Sequence, residues 1–150
     1  MRRLNNDLNA GAGDPARGHE IFTRVCGLCH TLFGEGGKIG PDLTQANRTD
    51  REFLLASIVD PSAAIRKEYL AYEVATKDDR VLSGVIMDQS GGNLTLGIGT
   101  GERVVVPQAQ VVSLRESAVS VMPEGLVKPL TPQELRDLFS YLQRTNTAAP

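Results

Sequence analysis

Apolar residues recur at two different spacings along this chain of 150 residues. In the first third and at the carboxyl end the spacing is helical, and between them it is close to two. Ile21, Phe22 and Val25 predict a helix that Asp14-Pro15 opens, with Asp as N-cap and Pro in the first turn. Phe53, Leu54, Leu55 and Ile58 predict a second, behind Thr49-Asp50-Arg51-Glu52, which has the pattern of a capping box with Thr49 at the N-cap. Asp60-Pro61 ends it and opens one more short turn through Ile65. Leu135, Leu138, Phe139 and Leu142 predict a last helix behind the capping box Thr131-Pro132-Gln133-Glu134, ending near Arg144. Residues 1–13 are polar and rich in Asn and Gly, which predicts a disordered linker or a non-native remnant, and residues 146–150 a frayed tail.

From Tyr69 to Leu114 the alternation changes the picture. Runs at 70–75, 81–88, 93–98, 102–106 and 111–115 are separated by Lys77-Asp78-Asp79, Ser90-Gly91-Gly92, Gly99-Thr100-Gly101 and Pro107-Gln108. They predict a five-strand antiparallel meander, or a small open barrel if the sheet curls. Nothing in it has a catalytic pattern, and Met87 within it reads as a gap-filler. The length suits one domain that can bury a real core. Net charge is −2, which does not suggest nucleic acid or an anionic membrane surface. No apolar run reaches the roughly 20 residues that span a bilayer, and the amino terminus lacks the apolar core of a signal peptide.

The chemistry concentrates in Cys26-Gly27-Leu28-Cys29-His30, a C-x-x-C-H pattern that attaches c-type haem. Cysteines three apart share a face of a helical turn, so both thiols can reach one edge of a porphyrin. The next residue carries an imidazole toward the iron. A structural zinc site needs four ligands, and the chain has two cysteines and two histidines in all. A thioredoxin-like pair belongs in a βαβ context, which is missing here; a simple disulfide is the remaining alternative. A buried porphyrin would also supply apolar surface to a chain with few aromatic residues and no Trp. Eleven residues after His30, in a loop containing Gly34, Gly36, Gly37 and Gly40, comes Gly40-Pro41-Asp42. The Pro41 carbonyl is a suitable partner for the second ring nitrogen of His30. Met122, in a loop stiffened by Pro123, is the expected second iron ligand, since a thioether there raises the reduction potential. His19 is the runner-up, and is expected instead to lie exposed on the first helix.

The order of these pieces resembles class I c-type cytochromes: helix, Cys26-x-x-Cys29-His30, Gly40-Pro41-Asp42-Leu43, helix, Met122-Pro123, and a final helix with Tyr141-Leu142. The resemblance covers residues 14–66 and 117–145. It implies a mainly α cytochrome c fold, three to four helices around haem, with the first and last helices crossing near Gly18 and Tyr141. The strands at about 67–116 are an insertion that ordinary members lack, so the whole is α+β. With Asp60-Pro61-Ser62, Tyr72-Glu73 and Met122-Pro123-Glu124-Gly125-Leu126, residues 14–145 resemble the Pirellula/Verrucomicrobium-type haem-binding domain. That domain typically ends large exported proteins, often beside a propeller resembling sugar dehydrogenases.

The expected function is that of a monohaem electron carrier, periplasmic or otherwise extracytoplasmic. One covalent haem c is held by Cys26, Cys29, His30, Pro41 and Met122, with His30 and Met122 on the metal. Two axial ligands leave no open site, which argues against an enzyme in its own right, though a larger oxidoreductase can contain such a module. The expected partner is a redox protein or domain, such as a propeller-type dehydrogenase. The insertion is expected to be a docking surface separate from the haem pocket. The alternatives are a haem-based sensor that releases Met122 to bind a small ligand, and an interaction domain with structural haem.

Overall fold

A computed structural model describes residues 1–145; the tail expected at 146–150 lies outside the described residues. The helices among them are α1 (Arg2–Asn9), α2 (Pro15–Val25), α3 (Arg51–Val59) and α4 (Pro132–Leu142). The strands are β1 (Thr31–Leu32), β2 (Glu35–Gly36), β3 (Ala71–Thr76), β4 (Val81–Ser90), β5 (Asn93–Gly97), β6 (Arg103–Pro107) and β7 (Val111–Ser117). The α+β composition is as expected.

Helix α1 departs from the expected disordered linker. Leu4 and Leu8, one turn apart, pack on the helical core, and Leu8 is buried. Arg136 donates to the Asp7 carbonyl at 2.9 Å and Arg51 to Asn9 at 2.7 Å. Tertiary contact thus holds a segment whose own asparagines favour helix weakly.

Helix α2 begins as the sequence predicts, with the Asp14 carboxylate accepting from the Ala16 amide. Helix α3 is capped one residue later than predicted. The Asp50 side chain accepts from Phe53 N at 3.0 Å, so Asp50 and not Thr49 is the N-cap. Both residue types cap well, and it is the Asp50 carboxylate that stands where the chain turns. The Thr131–Glu134 capping box of α4 is formed in full.

Helices α2 and α4 cross at Gly18. A Cβ there would collide with the Asp137 carbonyl and lie 2.7 Å from Tyr141 Cβ, so only glycine lets the backbones approach this closely. The Tyr141 ring sits 5.5 Å from Phe22 and 5.0 Å from His19. Asp137 is buried in the same joint and accepts from the Asp14 amide at 2.8 Å and from Gln133 at 2.7 Å. Phe22, Leu55, Leu138 and Phe139 fill the core around the crossing, each contributing roughly 1.5–3 kcal/mol by leaving water.

The five-stranded sheet is antiparallel, in the order β6-β5-β4-β3-β7. Strands β3 to β6 form the expected meander, whereas β7 returns to pair with β3. Only Gln108–Gln110, one 3-10 turn, separates β6 from β7 at opposite edges of that order. Four residue steps reach about 14 Å at most, while the edges of a flat sheet would be roughly 19 Å apart. The sheet must therefore curl, toward the small open barrel rather than a flat meander. Its interior is a second core of Val74, Leu94, Leu96 and Val106.

Candidate functional site

Cys26 ends α2, its amide still bonded to the Phe22 carbonyl at 2.8 Å. Its own carbonyl accepts from both Cys29 N at 3.1 Å and His30 N at 2.9 Å, which winds Cys26–His30 into one compact turn. The glycine-rich loop then zips onto this turn. Gly37 N donates to Gly27 O, Gly40 N to Cys29 O and Leu43 N to Thr31 O, each at 2.8 Å. A Cβ at position 36 would strike the His30 carbonyl and one at 37 the Leu28 carbonyl, so the glycines are what lets the loop close. Thr31 adds a side-chain bond to the Gly37 carbonyl at 2.8 Å.

This zipper delivers the Pro41 carbonyl to His30. Nδ1 donates to it at 2.8 Å. A carbonyl can only accept, so the proton sits on Nδ1 and the Nε2 lone pair is free. Nε2 has no hydrogen-bond partner among the described residues. Gly40 lies against the ring, where a Cβ would come 2.6 Å from Cε1. Burial holds the imidazole below its ordinary range and outweighs the opposing effect of the Pro41 bond. The ring is therefore neutral, with a fixed tautomer and orientation, and its Nε2 could serve a metal.

Cys26 and Cys29 are both free thiols, so the disulfide alternative is not formed. Burial, reinforced by the neighbouring Cys29, pushes the Cys26 thiol up to about 12. Burial also raises Cys29. Such thiols stay protonated at neutral pH, unlike the activated thiolates of redox cysteine pairs.

Met122 is half-buried and packs on the helical core that Cys26 and Leu43 also join. Its amide donates to Ser120 Oγ at 3.1 Å, and Ser120 N donates to Ser62 Oγ at 3.2 Å, which ties its loop to the turn after α3. Met87 lies instead within the sheet, at the irregularity between Ile86 and Asp88. His19 is partly exposed on α2 and bonds the Glu35 carboxylate at 2.8 Å.

Residues 15–83 match the family model of cytochrome c. The match takes in α2, the Cys26–His30 turn, the Pro41 loop and α3, a little under half of the chain. It supports a haem-binding, electron-transferring protein of the c type. The donor set fits that group, with two protonated thiols on one turn beside an imidazole whose free nitrogen is an acceptor. No described helix is long and apolar enough to cross a membrane.

Sequence reasoning misses Arg48. It is buried, donates to three carbonyls and stacks 4.9 Å over the Phe33 ring. An Arg in a polar loop looks like any solvated cation, and only the fold brings the end of α4 to it.

Proposed function

We propose that this chain is a monohaem c-type cytochrome module that passes single electrons. Cys26 and Cys29 tether one haem c covalently, and His30 and Met122 are its iron ligands. The observation that carries the reading is the His30–Pro41 bond at 2.8 Å, formed on the same turn that holds two free thiols. Bound there, haem c supplies a one-electron iron couple. The chain orients it. Pro41 fixes the tautomer and direction of His30, the zipper from Gly27 to Leu43 keeps the loop closed over that bond, and burial keeps the imidazole uncharged. The soft Met122 thioether favours the reduced metal and so raises the potential. If His30 and Met122 both held the iron, no ligand position would be left for a substrate, and the module would serve as a carrier, alone or as part of a larger oxidoreductase.

Thioether attachment of haem takes place outside the cytoplasm, which puts the working protein in the periplasm or an equivalent space. The inserted sheet, together with Asp60-Pro61-Ser62 and Met122-Pro123, supports reading it as a Pirellula/Verrucomicrobium-type haem-binding domain. Its partner is a redox protein or neighbouring domain, for which a propeller-type dehydrogenase is suitable.

Protein matured with the haem-attachment machinery tests the reading. Acid–acetone extraction leaves the colour with the chain, and the intact mass exceeds that of the polypeptide by one haem. Replacing Cys26 and Cys29 together by Ser makes the haem extractable. Complete extraction from the wild type overturns the reading.

A further inference from the structure

The inserted sheet touches three separate pieces of the site. The turn between β5 and β6, closed by Ile98 N to Glu102 O and Gly101 N to Ile98 O at 3.0 Å each, presents Gly99 and Gly101. A Cβ at 101 would lie 2.8 Å from Leu28 Cβ, inside the Cys26–His30 turn. A Cβ at 99 would lie 2.7 Å from the Val121 carbonyl, one residue before Met122, and 3.9 Å from Pro123 on its other side. At the end of β5, a Cβ at 97 would lie 2.8 Å from both Ile39 Cγ1 and Met87 Sδ. Ile39 is buried and immediately precedes Gly40, which lies against the His30 ring. The insertion is therefore not separate from these segments, although the sequence suggests that it would be.

From these contacts we infer that the β5–β6 turn is a wedge that positions Met122 relative to the haem-attachment turn. The inference rests on the function proposed above. Leu28 and Val121 belong to segments far apart in sequence, and each meets a different glycine of one five-residue turn. Glycine at 99 and 101 lets both backbones come into contact with that turn, so a shift of the turn moves the Met122 loop against Leu28. Met87 and Ile39 pack the base of the turn against the loop that holds His30. In this arrangement the sheet keeps both proposed iron-ligand segments in one frame, and its sequence sets the strength of the Met122 bond.

The matured holoprotein tests this with Gly99→Ala, Gly99→Val and Gly101→Val. Gly91→Val is the control. Gly91 lies in the next hairpin turn at φ 57°, as Gly101 does in its own at φ 89°, but a Cβ at 91 meets nothing within 4 Å. Positive φ is thus common to positions 91 and 101 while the contact is not, and Gly99 has no positive φ, so its variants report the contact without that strain. For the wedge variants, we expect the far-red sulfur–iron charge-transfer band of the oxidised protein to weaken, least in Gly99→Ala. The potential should fall, and the ferrous protein should bind carbon monoxide about tenfold faster, as the population with Met122 released increases. Covalent haem by mass should be unchanged, and Gly91→Val should behave as wild type. Unchanged band, potential and carbon monoxide rate in all three variants overturn the wedge. Equal changes in Gly91→Val do the same, because the effect then does not depend on contact with Leu28 or Val121. A wild type with covalent haem but no such band overturns the Met122 assignment and the wedge together. A wild type without covalent haem overturns the underlying reading of function.

Discussion

Arg48 Nη1 donates to the Leu142 carbonyl at 2.5 Å, across 94 residues of sequence, and to the Arg144 carbonyl at 2.6 Å. The Leu142 carbonyl belongs to the last turn of α4, where intrahelical donors run out, and a cation is favourable there because the helix dipole is negative at that end. Nη2 donates to the Thr44 carbonyl at 3.1 Å, so the loop that follows the His30 site is tied to the last helix by one buried side chain.

Arg48→Ala should therefore destabilise the protein by about 3 kcal/mol, because it leaves the buried Leu142 carbonyl without this donor, unties Thr44 and removes the stack on Phe33. Arg48→Lys should recover only part of this, since an ammonium cannot span separate acceptors as the planar guanidinium does. Urea unfolding of the holoprotein checks both. A midpoint unchanged in Arg48→Ala refutes the clamp.

Gly18→Ala should cost about 2 kcal/mol or more, since its Cβ would collide with the Asp137 carbonyl and force α2 away from α4. Alanine is the better helix former by about 1 kcal/mol, so propensity alone predicts stabilisation. The two arguments give opposite signs, and the melting temperature decides between them.

How far the sequence reveals this molecule follows from the range of each interaction. The caps at Asp14 and Thr131 are local and can be read directly. So can the Cys26–His30 turn and the suitability of Pro41, because side-chain chemistry and spacing determine them within a few residues. The runs of β3 to β7 are visible from alternation. Alternation tells which face a residue occupies, not which strand lies alongside, so the return of β7 to β3 is hidden. Helix α1 is hidden because Leu4 and Leu8 are too few to stand out in a polar stretch. Arg48, Asp137 and the contact of Gly101 with Leu28 all depend on parts of the chain that meet only after folding.

Glu134 makes one part of the stability depend on pH. The Thr131 amide donates to its carboxylate at 2.8 Å, and this, with the Thr131 hydroxyl, holds the acid below its ordinary range. A carboxylate with a depressed folded value stabilises the fold above its unfolded value, and that contribution is lost as pH falls through the folded value. Glu134→Gln should therefore melt at a lower temperature than wild type near neutral pH. The gap should close once the solution is more acidic than the folded carboxylate. A gap that persists in acid assigns the effect to shape and not to charge.

The last prediction separates the roles of the two internal methionines and, with them, a carrier from a sensor. Met122 is held in a loop pinned by Ser120 and Ser62 and followed by Pro123, beside the core that Cys26 joins. Met87 is held inside the sheet against Gly97. Met122→Ala should abolish the far-red sulfur–iron band of the oxidised holoprotein, lower its potential and open the ferrous metal to carbon monoxide. Met87→Leu conserves volume, which cores tolerate, and should leave the band in place. A carrier keeps both ligands in both oxidation states, so the wild-type ferrous protein should bind carbon monoxide slowly or not at all and exchange electrons reversibly with a small mediator. A sensor requires a bond that opens so that ligand binding can shift a two-state element. The pinned loop opposes such opening, while Gly125, at φ 76° just beyond Pro123, is a position where the backbone could turn easily. Rapid stoichiometric binding of carbon monoxide to the wild type, with loss of the Met122 band, would show that the loop opens and that the module senses rather than carries.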